Sequence, residues 1–117
     1  MTTANAPRSL TLEVEHKGTT ALVHCRGHLV STLCDHLYGK VHPLIPHNKR
    51  IILDLTDLVF VDSMGLGTLV RLYVSAKSGG SCLELINLGK QVRQILGITH
   101  LLGLFGDMCE KGVAVKF

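Results

Sequence analysis

The stretch LDLTDLVFVDSMGLGTLV, Leu53 to Val70, decides how this chain is read. Together with Arg50, Ile51 and Ile52 its opening residues form an apolar run to Leu55, which reads as a central strand buried on both faces. A second apolar run, Leu58 to Val61, leads to Asp62 and Ser63, where a helix begins that continues to about Lys77 and stops at Ser78, Gly79 and Gly80. At about 100° per residue, Leu66, Leu69, Val70, Tyr73 and Ala76 share the core side of that helix. Met64, Gly67, Arg71 and Ser75 fall opposite, and Ser63 sits at the border, accessible. Read from the residues alone, Ser63 is an N-cap with Asp62 as its dipole partner, and Met64 and Arg71 belong to a solvated face. The two glycines cost about 1 kcal/mol each relative to alanine in a helix, so a close approach is expected at this end. Gly65, at the core margin, admits tight helix-on-sheet packing; Gly67 projects outward and leaves a bare surface for another protein.

On the N-terminal side, Leu10, Leu12 and Val14 alternate with polar residues and a second run spans Ala21 to Cys25, which predicts a β-hairpin turning at Gly18. Leu33, Leu37, Val41 and Leu44 follow Ser31 at intervals of four and three and predict a capped amphipathic helix ending before Pro46. On the C-terminal side, Cys82 to Ile86 reads as a short strand and Lys90 to Leu96 as a helix with Val92, Ile95 and Leu96 inward. Gly103 to Phe105 suggests a further short strand, and Asp107 to Val115 a last small helix. The order β-β-α-β-α-β-α implies right-handed crossovers and a mixed sheet, parallel at its centre, with helices on at least one face.

The composition narrows the function classes. A chain of 117 residues is one domain, and a hydrophobic share of 46% against 18% charged is enough for a packed core and excludes a two-domain enzyme. The net charge of +3 is scattered, with Lys49 and Arg50 the only adjacent basic pair, so no cationic face for nucleic acid is expected. The longest uncharged stretch, Gln94 to Gly106, is too short for a membrane helix. Met1 to Ser9 lacks the basic lead and apolar core of a secretory signal and reads as a flexible tail, with the domain at 10–117 and a cytoplasmic location expected. The cysteines at 25, 34, 82 and 109 form no C-x-x-C pair and read as reduced, buried thiols.

Enzyme motifs do not match. Val61 stands two residues before Ser63 where a nucleophile elbow needs glycine, although the order Ser63, Glu84, His100 permits a triad on paper. Val70 occupies the position of the third glycine of a dinucleotide fingerprint. His24 and His28 lie four apart on a predicted strand, without the glutamate of a zinc helix. No catalytic residue, metal or cofactor is expected.

The block D-S-M-G-L-G at Asp62 to Gly67, after IILDLTDLVFV and before a helix ending in Gly-Gly, resembles the STAS domain of bacterial anti-sigma factor antagonists, whose pattern is Asp-Ser-Ser/Thr-Gly-Leu-Gly. Arg26, Gly27 and Leu29, then Asn87, and Val92 to Leu96 followed by Gly97 to Leu102 extend the similarity over about residues 10 to 115. The resemblance implies an α/β STAS fold: a single-layer mixed β-sheet with an opening hairpin and a parallel centre, covered by about four helices. It also implies a partner switch rather than an enzyme. In that family the serine after the motif aspartate, here Ser63, is phosphorylated by an anti-sigma factor that is also a serine kinase, and a serine phosphatase can reverse the mark. The unphosphorylated antagonist binds the anti-sigma factor and frees the sigma factor. The partner surface would comprise Asp62, Ser63, Met64, Gly65, Gly67, Thr68, Arg71 and Ser75, with His28 and Val30 from the loop before the first helix. Met64 replaces the usual second hydroxyl residue, and Val30 stands where the family often has an aspartate that contacts the kinase. STAS modules also serve as subunits of membrane lipid-transport ATPase complexes and as tails of anion transporters, and such a subunit is the alternative.

Overall fold

The computed structural model describes residues 9–98. Strand β1 (Leu10–Lys17) turns at Gly18 and Thr19 into the antiparallel β2 (Thr20–Leu29), with Lys17 opposite Thr20. Gly18 has φ +59°, the left-handed backbone that a two-residue hairpin turn requires and that glycine adopts without strain. The Ser9 carbonyl accepts a hydrogen bond from the His28 amide at 2.8 Å, which ties that residue of the proposed tail to β2. The rest of the proposed tail lies outside the described residues.

The predicted first helix comes in three pieces. A 3-10 turn at Ser31–Leu33 leads into α1 (Cys34–Val41), and a 3-10 segment follows at His42–His47. Pro43 explains the early end: it has no N–H to continue the ladder. The expected cap at Ser31 is absent, since no side chain caps either piece.

Strand β3 (Arg50–Val61) is twice as long as its first apolar run, because Leu58 to Val61 continues it. It pairs in parallel with β2 along its whole length and with β4 (Cys82–Ile86) over Arg50 to Asp54, giving the order β1-β2-β3-β4. Two register shifts against β2, between His24 and Arg26 and between Gly27 and His28, each place an extra residue in β3. The buried residues accordingly change spacing, from Ile51, Leu53 and Leu55 to Leu58 and Val61. Ile52 and Asp54 are half-buried, so the strand is not sealed on both faces as the unbroken apolar run suggested.

Helices α2 (Ser63–Ser78) and α3 (Lys90–Ile98) follow β3 and β4. Leu66, Leu69, Tyr73 and Ala76 of α2 are buried as expected, but Leu72 joins them fully buried and Val70 is only partly so. Val92 and Leu96 bury the inner side of α3, with Ile95 packed partly against the core. The architecture is a mixed four-strand sheet with three α-helices among the described residues. The short strand and last helix expected at 103–105 and 107–115 lie outside them. Cys25 and Cys34 are free and buried, whereas Cys82 is disulfide-bonded, which corrects the expectation of a reduced thiol there.

Candidate functional site: the turn from β3 into α2

Asp62, not Ser63, is the N-cap of α2. Its backbone is extended (φ −96°, ψ −176°) and its Oδ1 accepts the Gly65 amide at 2.8 Å, which satisfies one of the helix's orphan donors. Its Oδ2 accepts the Ser31 amide at 3.2 Å, and its own amide donates to the Leu29 carbonyl at 3.2 Å. The half-buried carboxylate expected at a partner surface is therefore spent on joining α2 to the loop before α1. Aspartate suits this because its two oxygens can each take a backbone N–H from a different segment.

Ser63 occupies the first helical position and is exposed. Its hydroxyl has no side-chain partner among the described residues. The amides of Ser63 and Met64 lie in the first turn, where helix geometry provides no carbonyl, so the positive end of the helix dipole opens at the serine.

Gly65 is buried against the β2 end: a Cβ there would overlap the carbonyl oxygen of Leu29 and come within 2.9 Å of its side chain. Gly67 faces open space. These are the two roles expected of the glycines.

The remaining expected partner residues divide by burial. Met64 is 59% exposed, and Gly67 and Arg71 are exposed as well. Thr68 is only 3% exposed and donates its hydroxyl to the Met64 carbonyl at 3.0 Å; Val30, at 5%, packs inward. With Gly65 they are corrections to the expected surface, since all three are buried in the fold and cannot be reached by a partner as the exposed residues can. Arg71 lies over the Tyr38 ring at 4.3 Å, and the half-buried Ser75 shares a 3.4 Å hydrogen bond with the Tyr38 hydroxyl. His28 is half-buried, and its Nδ1 is buried without a hydrogen-bond partner among the described residues.

Sequence reasoning missed two neighbours of Ser63. Val59, 65% exposed, and Phe60, 37% exposed, precede it on the bulged end of β3. They lie where β3 is bulged against β2, and with Met64 they put exposed apolar surface on both sides of the serine in the chain. The paper triad does not assemble from the described residues: Glu84 is buried and held by Arg50, whose Nε donates to it at 2.7 Å, and His100 lies outside them. His24 is set between Asp54 and Glu15, each 3.1 Å from one ring nitrogen.

The family model of the STAS domain matches residues 11–113 of the chain. An anti-sigma factor antagonist from Mycobacterium paratuberculosis has a similar structure, with TM-score 0.76 and 22% identity over 86% of each chain. The unphosphorylated form of the anti-sigma factor antagonist SpoIIAA gives TM-score 0.68 and 21% identity, over 80% of this chain and 82% of that one. A sulfate transporter family protein from Wolinella succinogenes gives 0.70 and 17%, over 84% and 76%. At these identities the likeness is one of fold.

Proposed function

The chain belongs to the STAS domain family, and from that premise we propose that it is an anti-sigma factor antagonist switched by phosphorylation of Ser63. The observation that carries this reading is the exposed Ser63 at the first position of α2, beside a capping carboxylate already committed to the backbone. Such a serine is open to a kinase, and nothing in the fold has to unfold to present it.

The unphosphorylated domain binds an anti-sigma factor with serine kinase activity through Ser63, Met64, Gly67 and Arg71, flanked by Val59 and Phe60, with His28 at the edge. It acts by binding, in the cytoplasm, and releases the sigma factor. A phosphate adds about −1.5 to −2 charges in the middle of this surface. The unpaired amides of the first turn of α2 stabilise it within the domain, so the charge acts outward, where docking would have to desolvate it. The partner is lost and the fold is kept. A serine phosphatase restores the binding state.

Incubation with the cognate kinase and ATP, followed by mass spectrometry, tests the acceptor: phosphate is expected on Ser63, and phosphate elsewhere or nowhere rejects it. In pull-downs, Ser63→Ala should retain the anti-sigma partner and Ser63→Asp should lose it. Equal retention by both variants rejects a phosphate-gated surface. The structural likeness to a sulfate transporter family protein supplies the second reading, a scaffold subunit of a membrane transport complex, which recovery of transport ATPase subunits with both variants would favour.

A further inference from the structure

β4 accompanies β3 only as far as Asp54, so from Leu55 to Val61 the strand has β2 on one side and no strand on the other among the described residues. At Val61, the last strand residue before Asp62, the outward-facing backbone groups are nevertheless satisfied. The side-chain amide of Gln91, in the first turn of α3, accepts from the Val61 amide at 2.9 Å and donates to the Val61 carbonyl at 3.0 Å. A primary amide carries the same donor and acceptor as a peptide unit, so Gln91 makes both hydrogen bonds that one residue of an antiparallel neighbouring strand would make.

We propose that Gln91 is a positioning residue for the phosphoacceptor: it substitutes for a missing strand at the exit of β3 and fixes the turn that presents Ser63. Val61 is held by Gln91 on one side and, through the bond from the Asp62 amide to the Leu29 carbonyl, its successor is held by β2 on the other. With the exit clamped from both sides, the Asp62 carboxylate is delivered within reach of the Gly65 and Ser31 amides together. Without Gln91 the exit is held on one side only, and Ser63, one residue beyond the cap, loses its fixed direction. Phosphoryl transfer depends on placing the attacking hydroxyl in line, and a displacement near 1 Å can cost about 100-fold. This role rests on the proposed function for its consequence in phosphorylation, but not for its geometry.

Two variants of the full chain test it. Gln91→Met keeps the length and removes both bonds, while Gln91→Glu keeps the acceptor for the Val61 amide and removes the donor. Amide hydrogen exchange is read residue by residue, with Leu53 in the sheet centre as the reference for global stability. Gln91→Met is expected to speed exchange at the Gly65 amide by about tenfold or more relative to Leu53, with Gln91→Glu intermediate. Faster exchange confined to Val61, with Gly65 unchanged in both variants, overturns the proposal. In the kinase assay, kcat for Ser63 phosphorylation should fall about tenfold or more in Gln91→Met while KM stays within about twofold. Wild-type kcat and KM in a variant whose Gly65 exchange has risen overturn the positioning role. If wild-type protein is not phosphorylated at all, the phosphoswitch fails and the Gly65 exchange alone decides on Gln91. Should Gln91→Met not fold, Gln91→Glu carries both measurements, with the same outcomes deciding.

Discussion

The Oδ2 of Asp62 accepts a hydrogen bond from the backbone amide of Ser31 at 3.2 Å, across thirty-one positions of sequence, while its Oδ1 caps the helix that follows it. One side chain thereby fixes the start of α2 relative to the loop that opens α1. Asp62→Ala removes both bonds and is expected to lower the unfolding free energy by about 1–2 kcal/mol. Asp62→Asn, whose single carbonyl oxygen can still cap, should lose less than half of that. Urea denaturation of the three proteins is the check, and an Asp62→Ala midpoint equal to wild type contradicts the tether.

The two glycines of α2 should respond to the same substitution with opposite sign. Gly67→Ala adds a Cβ in open space and gains helix propensity, a stabilisation of about 0.5–1 kcal/mol. Gly65→Ala gains the same propensity but drives a methyl group into the Leu29 carbonyl, a backbone atom that cannot rotate away, and should be net destabilising by about 1–3 kcal/mol. Thermal or chemical melts distinguish the two; a stabilised Gly65→Ala would show that α2 shifts away from β2 at no cost.

Breaking the pair between β3 and β4 should cost more than a surface ion pair. Glu84 is almost fully buried, with the Arg50 guanidinium 2.7 Å from its carboxylate. Arg50→Met would strand that carboxylate, at about 3 kcal/mol or somewhat less because Arg50 is partly exposed, whereas the double change Arg50→Met with Glu84→Gln should recover part of the loss. Failure of the second change to recover any stability, in a double-mutant cycle, counts against a charge-burial origin.

Acid stability should depend on Asp54. Burial pushes its carboxyl up, but hydrogen bonds donated by the Thr56 hydroxyl, the Asn87 amide and the Thr56 backbone, with His24, bring it below the ordinary carboxylate value. With the folded value lower than the unfolded one, the unfolded chain binds more protons in the interval between them. Asp54 therefore adds stability above about pH 4 and loses it as pH falls through its folded value. Asp54→Asn should flatten the acid limb of a stability-against-pH curve, and an unchanged limb would assign it to other carboxylates.

At the alkaline end, burial first and the Asp54 charge second push the Cys25 thiol up from 9.0 to about 12. Here the folded value is the higher one, so the contribution is complete below pH 9 and declines as pH rises toward 12. Native Cys25 and Cys34 should resist alkylation at pH 8 and react once the chain is unfolded, as peptide mapping after iodoacetamide would record. Rapid native labelling of Cys25 would mean that the sheet opens locally around it.

Local pattern carried much of this domain. The hairpin at Gly18, the α2 span, the opposite roles of Gly65 and Gly67, and the strand-helix order all follow from side-chain period and turn chemistry, which act within a few residues. The motif at Asp62 to Gly67 made Ser63 legible as a candidate for the same reason. The surface around it was less so. Thr68 and Val30 were assigned to the outside and are buried, while nothing in the apolar run Leu58 to Val61 marked Val59 and Phe60 as exposed.

What the sequence by itself determined is the periodicity of each element and the chemistry of one turn, because these depend on neighbours along the chain. The tertiary structure alone decided that two bulges in β3 leave Val59 and Phe60 exposed, that the Asp62 carboxylate ties α2 to the Ser31 amide, and that Gln91 completes the exposed edge of β3. Each depends on a backbone group thirty or so residues away, and a donor or acceptor that every residue carries leaves no mark in the sequence to say which side chain will find it.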